Sequence, residues 1–230
     1  MSQALVIAHR GASARDVENS LAAFRAVAPL GADAVELDIH ATADGALFVH
    51  HDEMIDGTHH IPHLAAKRVR EFRLPNGEPI PTLAEALEAV GPRLQVFVEV
   101  KSLAPQFDDR LFDALSRGPT PSGYAVHSFD HRIVRRLGLE QPGLRCGVLS
   151  ASYPVTPLAA LEDAGATILW QERRLVDRAL VDALHRAGMQ ILVWTVDDPS
   201  EMRSLLELGV DGICTNVPEV GRRAVDTLAA

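Results

Sequence analysis

Cysteine is scarce in this chain, with only Cys146 and Cys214 among 230 residues. Each stands alone in an apolar setting, LRCGVL and DGICTN, which speaks for buried reduced thiols over a disulfide or a catalytic thiol. No apolar run approaches the roughly 18 residues of a membrane-spanning helix, so no membrane span is expected. An excess of positive charge is missing as well. The 22 Lys+Arg stand against 31 Asp+Glu, a net charge of −9, which argues against a nucleic-acid partner held through its phosphates. That balance still permits an anionic small substrate, because a local cluster of Arg, Lys and metal reverses the field within one cleft. The opening residues MSQALVIAHRG have neither the basic start nor the cleavage site of a secretory signal, so a cytoplasmic protein is expected. Domain linkers, low-complexity tracts and charge blocks are lacking too. The hydrophobic content of 47% is that of an ordinary globular chain, not a disordered one.

What is present is a rhythm. Short β-rich runs alternate with amphipathic helical stretches almost to the end: ALVIA, then ENSLAAFRAVAPL, then ADAVELDIH, and later TLAEALEAV, LQVFVEV and FDDRLFDALSR. The alternation continues through YAVHSF, LRCGVLS, TILW, MQILVWTV and VDGICTN, each followed by a helical pattern. Eight strand-helix pairs predict a closed (β/α)8 barrel (a TIM barrel) rather than an open sheet. Runs such as VFVEV and ILVWTV are apolar through most of their length, as parallel strands buried on both faces are. One section, residues 41–81, breaks the pattern with His, Pro, Gly and charge. It predicts an insertion of about residues 53–80 after strand 2, over the C-terminal mouth of one 230-residue domain.

In a barrel, polar residues at the C-terminal ends of strands are the candidates for chemistry. Strand 2 carries Glu36 and Asp38 on one face, and strand 3 ends with Glu99 and Lys101 on one face. Three carboxylates inside apolar strands form an oxygen-rich cage for one hard divalent cation, Mg²⁺ or Ca²⁺. Taken singly, each acid reads equally well as a solvated or ion-paired residue. Together they are costly to bury without a cation. Beside them stand His9, Arg10, His51 and Lys101. Arg10 offers a planar fork and Lys101 a point charge for phosphate oxygens. His9 and His51 suit acid-base work on a phosphodiester, one taking a proton and the other giving one to the leaving oxygen. Asp52 follows His51 and can orient its ring or add an oxygen to the metal. Asn19 reads as a helix N-cap. Trp194 ends strand 7, either as an apolar wall for substrate or as a cap on the barrel core. Six of the ten histidines fall between His40 and His63, and those of the insertion (His59, His60 and His63) read as solvated residues.

The blocks AHRGASARDVENSLAAF, GADAVELDIHATADGALFVHHD, IPTLAEAL, VEVK, HSF, VWTVDDP and GVDGICTNVP, in that order, strongly resemble the glycerophosphodiester phosphodiesterase family. Short motifs such as HRG or ExD are weak alone, but their ordered combination over nearly the whole chain is specific. The resemblance implies a (β/α)8 barrel that hydrolyses a small soluble glycerophosphodiester to sn-glycerol 3-phosphate and an alcohol with a divalent metal. It implies His9 and His51 as the acid-base pair, Glu36, Asp38 and Glu99 as metal ligands, and Arg10 and Lys101 as phosphate contacts. Phe129 joins Trp194 as a rim residue by the same match, with His127 beside it. First attack by water or by a glycerol hydroxyl, giving a cyclic phosphate, are both open. The chain departs from the family at Val17, where a Pro is common, and at Asp56-Gly57-Thr58, where an Arg-Thr-Thr-like stretch is common. The alternatives are a lysophospholipase D or phospholipase-type enzyme on lipid head groups, and a non-catalytic phosphate-binding barrel. No amphipathic helix rich in Trp, Phe, Leu and Lys/Arg supports docking to lipid, so a soluble diester is favoured.

Overall fold

In the computed structural model, which describes residues 3–229, eight parallel strands close into a barrel. They are β1 (Leu5–His9), β2 (Ala34–Ala41), β3 (Gln95–Ser102), β4 (Tyr124–Ser128), β5 (Arg145–Ser150), β6 (Ile168–Glu172), β7 (Gln190–Trp194) and β8 (Gly212–Thr215). Closure is made on both sides of β1, where Leu5 sits beside Gly212 of β8 and Ile7 beside Ala34 of β2. Around the barrel run α1 (Leu21–Arg25), α2 (Leu83–Val90), α3 (Asp108–Arg117), α4 (His131–Glu140), α5 (Ala159–Ala164), α6 (Arg178–Arg186), α7 (Pro199–Leu208) and α8 (Pro218–Ala229). The (β/α)8 barrel expected from the alternating runs is the fold found. Among the described residues, no helix is long and apolar enough to cross a membrane.

The period-2 alternation of each strand sorts its side chains into two cores. Val6, Val35, Leu37, Val96, Val98, Val126 and Ile213 face outward and pack against the helices. Ile7, Ala34, Phe97, Ala125, Leu149, Ile168, Trp170, Leu192 and Cys214 fill the barrel. The Trp170 indole is the largest buried side chain, with Phe97 meeting it edge-on at 5.1 Å. Gly147 makes room for it: a Cβ there would lie 2.9 Å from Trp170 Cδ1. Both cysteines are free and buried, as expected.

Two local expectations are corrected. The run ENSLAAFRAVAPL forms only the five-residue α1 and then a 3₁₀ turn, Ala28–Leu30. Pro29 brings no N–H for an α-helical bond, and Gly31 ends the turn with φ 78°. Asn19 is not the N-cap. That role needs extended backbone, which Ser20 has, and Ser20 Oγ accepts from Ala23 N at 3.0 Å. Asn19 lies in the left-handed region, at φ 56°.

The insertion is tied to the barrel at its start. Leu47–Val49 pairs antiparallel with the end of β2, and a hairpin follows from Met54–Ile55 to His59–His60. Asp56 and Gly57, at φ 53° and 73°, supply the two positive-φ positions of its tight turn. The departure from the family at these residues is thus a hairpin tip. Phe48, Ile55, Ile61, Val69, Leu74 and Ile80 form a small core under this segment, and Val17 packs against it.

Gly147→Ala should overpack the barrel against Trp170 and lower stability by about 1–3 kcal/mol. Denaturant unfolding measures it, and an unchanged midpoint would contradict the packing account.

Candidate active site

The parity that fills the barrel continues upward into its mouth. On β1 the inward series Leu5, Ile7 ends in His9. On β2 Ala34 is followed by Glu36 and Asp38, on β3 Phe97 by Glu99 and Lys101, and on β4 Ala125 by His127. Strand register then sets neighbours, with His9 beside Glu36 and Asp38, Glu99 and His127 in one row across three strands. A cavity of about 90 Å³ opens here, lined by His9, Arg10, Glu36, His51, Glu99, Lys101, His127, Phe129, Trp170 and Trp194. A larger groove of about 780 Å³ lies elsewhere, among Arg178, His185, Asp211 and Leu228. Its two cationic or imidazole side chains are already engaged: Arg178 bonds the Glu207 carbonyl, and His185 pairs with Asp211 at 3.0 Å. The convergent chemistry is in the smaller cavity.

Of the candidate residues, Asp38 alone does not line the cavity. It is 1% exposed and lies beneath it, taking 2.8 Å from Asn19 Nδ2, with Arg10 Nε at 3.3 Å and Lys101 Nζ at 3.2 Å. Burial pushes its pKa up, but Lys101, Arg10 and the Asn19 amide outweigh that and hold it below the usual carboxylate range. Glu36 fares differently. Its partners are the Arg10 backbone N–H at 3.3 Å and two imidazole nitrogens, His9 Nε2 at 4.0 Å and His127 Nε2 at 3.9 Å. Burial, then Asp38 and Glu99, raise its pKa well above the usual range. Glu99 has an ammonium only 2.7 Å away, at Lys101 Nζ, yet its pKa is raised to about 7. Burial and the Asp38 charge exceed what Lys101 gives back.

A cation-binding fit can be tested on these groups. Glu36, Glu99 and His127 offer three ligand atoms within 4.8 Å of one another, all from buried residues. Asp38 Oδ1 has only the Lys101 ammonium, at 3.2 Å, while His127 turns Nε2 toward Glu36 at 3.9 Å. Buried carboxylates carrying more negative charge than Arg10 and Lys101 answer, beside an imidazole nitrogen, fit a divalent cation. His127 was ambiguous in the sequence and absent from the acid set. Its ring stacks on Trp170 at 4.3 Å, and burial lowers its pKa to about 3, so it is neutral.

The two candidate acid-base histidines have different partners. His9 Nδ1 bonds Asn216 Oδ1 at 2.8 Å, and burial, then Arg10, lower its pKa. His51 Nδ1 bonds the Asp52 carboxylate at 2.8 Å, so Asp52 orients the ring. The His51 carbonyl accepts from buried His40, which also bonds Ser102. Arg10 takes a left-handed backbone, φ 54°, and Glu18 grips its Nη1 with both oxygens at 2.9 and 3.0 Å. Gly11 follows at φ 83°, where a Cβ would stand 2.9 Å from the Ala23 backbone. The HRG motif therefore turns sharply enough to bring Arg10 back over Asp38. On the opposite rim Phe129 and Trp194 pack edge to face at 5.5 Å.

A group with a raised acid pKa in the fold stabilises it fully below its unfolded value, and that contribution fades as pH rises through the folded value. For Glu99, with Glu36 in the same direction, that contribution should be lost as pH rises from about 5 to about 8 in the metal-free protein, whereas His9, His40 and His127, kept neutral by burial, contribute in the opposite direction as pH rises toward the ordinary imidazole value. Asp38, shifted downward, changes only at lower pH. The carboxylate share is read as a difference: in chelator, the melting temperature of the wild type relative to Glu99→Gln should fall across that range. A difference that rises with pH would contradict the charge assignment.

The glycerophosphoryl diester phosphodiesterase family model matches residues 9–220. The glycerophosphodiester phosphodiesterase of Caldanaerobacter subterraneus is 33% identical, over 94% of this chain and 95% of that protein. A probable glycerophosphodiester phosphodiesterase 2 of Mycobacterium tuberculosis is 30% identical, over 92% of this chain and 87% of that protein. Among solved structures, a glycerophosphodiester phosphodiesterase from Parabacteroides distasonis superposes with a TM-score of 0.89 at 27% identity, covering 99% of both chains. An Oleispira antarctica phosphodiesterase in complex with the product sn-glycerol-3-phosphate gives 0.90 at 23% identity over 97% of both chains, a likeness of fold.

Proposed function

From the premise that this chain belongs to the glycerophosphoryl diester phosphodiesterase family, we propose a division of labour for its hydrolysis of glycerophosphodiesters to sn-glycerol 3-phosphate and an alcohol. The observation that carries it is one cavity lined at once by His9, His51, Glu36, Glu99, Arg10 and Lys101. Glu36, Asp38 and Glu99 hold one divalent cation, Mg²⁺ or Ca²⁺, with His127 as a bordering nitrogen donor. When bound, that ion offsets the carboxylate charge and the charge of the phosphodiester oxygens.

Arg10 and Lys101 receive the phosphate oxygens at the cavity wall, Arg10 held for this by Glu18. His9 is partly buried, lies beside a cationic neighbour and has a neutral amide at Nδ1, which suits a ring that enters neutral and accepts a proton at Nε2. His51 has a carboxylate at Nδ1, which steadies the charge of a ring that donates. The nucleophile's oxygen bonds to phosphorus as its proton passes to His9. The bond from phosphorus to the alcohol oxygen breaks, and His51 gives that oxygen a proton. Phe129 and Trp194 form the apolar wall on the rim, against the carbon atoms of the substrate. The whole chain acts as one catalytic domain on a small diester. A cytoplasmic location belongs to the same reading, supported by the two free cysteines.

His9→Ala and His51→Ala should each lower kcat by about 10² to 10⁴-fold, with the double variant losing far less than the product of the two. His50→Ala, whose Nδ1 bonds the Asp52 carbonyl, should be mild. Chelation should abolish turnover, and Mg²⁺ or Ca²⁺ should restore it. The assay is release of glycerol 3-phosphate from glycerophosphocholine, beside a long-chain lysolipid. Near-wild-type turnover in a single histidine variant removes that residue from the mechanism, and a preference for the lysolipid overturns the soluble-diester reading.

A further inference from the structure

Two sequence blocks have no part in this division of labour, VDDP after β7 and TN at the end of β8, and they meet at His9. Asn216 Oδ1 lies 2.8 Å from His9 Nδ1. The other end of the same amide, Nδ2, donates to Asp197 Oδ2 at 2.7 Å. Asp197 Oδ1 is anchored in turn, accepting from the Asn216 backbone N–H at 2.8 Å and from the Thr215 hydroxyl at 2.9 Å.

An amide has one accepting end and one donating end. Were the Asn216 amide turned over, its oxygen would face a carboxylate oxygen at the 2.7 Å now spanned by N–H···O, two acceptors in contact. Ser13 Oγ lies 2.8 Å from both Asn216 Oδ1 and the His9 carbonyl, so its one proton is shared between two neutral acceptors, a weaker constraint than the charged carboxylate of Asp197. The choice is made by Asp197. With the amide oxygen toward His9, the ring nitrogen facing it must carry the proton. A neutral imidazole has one N–H, so the lone pair falls on Nε2, the nitrogen 4.0 Å from Glu36 at the cavity.

We propose that Asp197 is a positioning residue that, through the Asn216 amide, holds His9 in the Nδ1–H tautomer and so leaves Nε2 free to accept a proton. The proposal rests on the reading of His9 as the base. It also separates the two histidines, because the His51 ring meets its carboxylate directly whereas His9 meets one through an amide.

Asp197→Asn tests this without changing shape. The new amide oxygen can still accept from Thr215 and the Asn216 N–H, but its NH₂ now points at Asn216 and favours the overturned amide. Nδ2 of Asn216 then faces His9 and draws the proton to Nε2. ¹⁵N–¹H correlation of histidine-labelled protein with Mg²⁺ present should read Nδ1–H at His9 in the wild type and Nε2–H in Asp197→Asn. A wrong tautomer is costly, so kcat should fall about 10- to 10³-fold with KM little changed. The reversed pair, Asp197→Asn with Asn216→Asp, puts a carboxylate against His9 and an amide donor behind it. It should return the proton to Nδ1 and recover most of the lost rate. A His9 that stays Nδ1–H in Asp197→Asn overturns the proposal. So does a single variant within about twofold of wild type, or a folded reversed pair no faster than the single one. Full turnover in His9→Ala would instead remove the base reading and leave the tautomer measurement standing.

Discussion

The cost of burying Glu36, Asp38 and Glu99 together at the end of an apolar barrel governs how the residues around them are arranged. An ionised carboxylate in such a place costs several kcal/mol unless charge and hydrogen bonds answer it. The answer within the chain is uneven. Asp38 takes Arg10, Lys101 and Asn19, while Glu36 has a backbone N–H and two imidazole edges. The two glutamates are left with raised pKa values, one of them close to neutrality. The strained backbone of the neighbourhood serves this pattern. Arg10 and Asn19 both hold left-handed conformations, and each uses its side chain on Asp38.

Around this charged floor the two histidines are held by different means. His9 belongs to β1 and is steadied from β8, across the seam where the barrel closes. His51 lies on the insertion side and is steadied by its chain neighbour Asp52 and, through its carbonyl, by His40 of β2. The insertion is also joined to the start of α1: Glu78 accepts from the Leu21 backbone N–H at 2.9 Å, two residues after Asn19. The motifs that carry the chemistry are thus fastened to one another before substrate arrives, the condition for a preorganised site.

The barrel was legible because its signal is repeated: apolar strand, amphipathic helix, eight times over. Glu36 and Asp38 were legible as a pair because strand geometry puts i and i+2 on one face. Neither rule tells which residues of different strands stand side by side. His127 became a site residue only when register set it beside Glu99. Asn19 was misread because Asn suits both an N-cap and a left-handed turn, and the turn won at that position. The contact from His9 to Asn216 spans 207 residues and exists only once β8 returns to β1. The shortened α1 reflects Pro29, a local signal outweighed by the apolar pattern on either side of it.

If buried carboxylates in excess of their compensation define this site, binding a cation should displace protons from them. Calorimetric titration of Mg²⁺ or Ca²⁺ into the chelator-stripped protein at about pH 6.5, in buffers of differing ionisation enthalpy, measures that displacement directly. The account predicts saturable binding with net proton release, both weakened in Glu36→Gln. Absence of saturable binding by either ion, or binding without proton release, would contradict it.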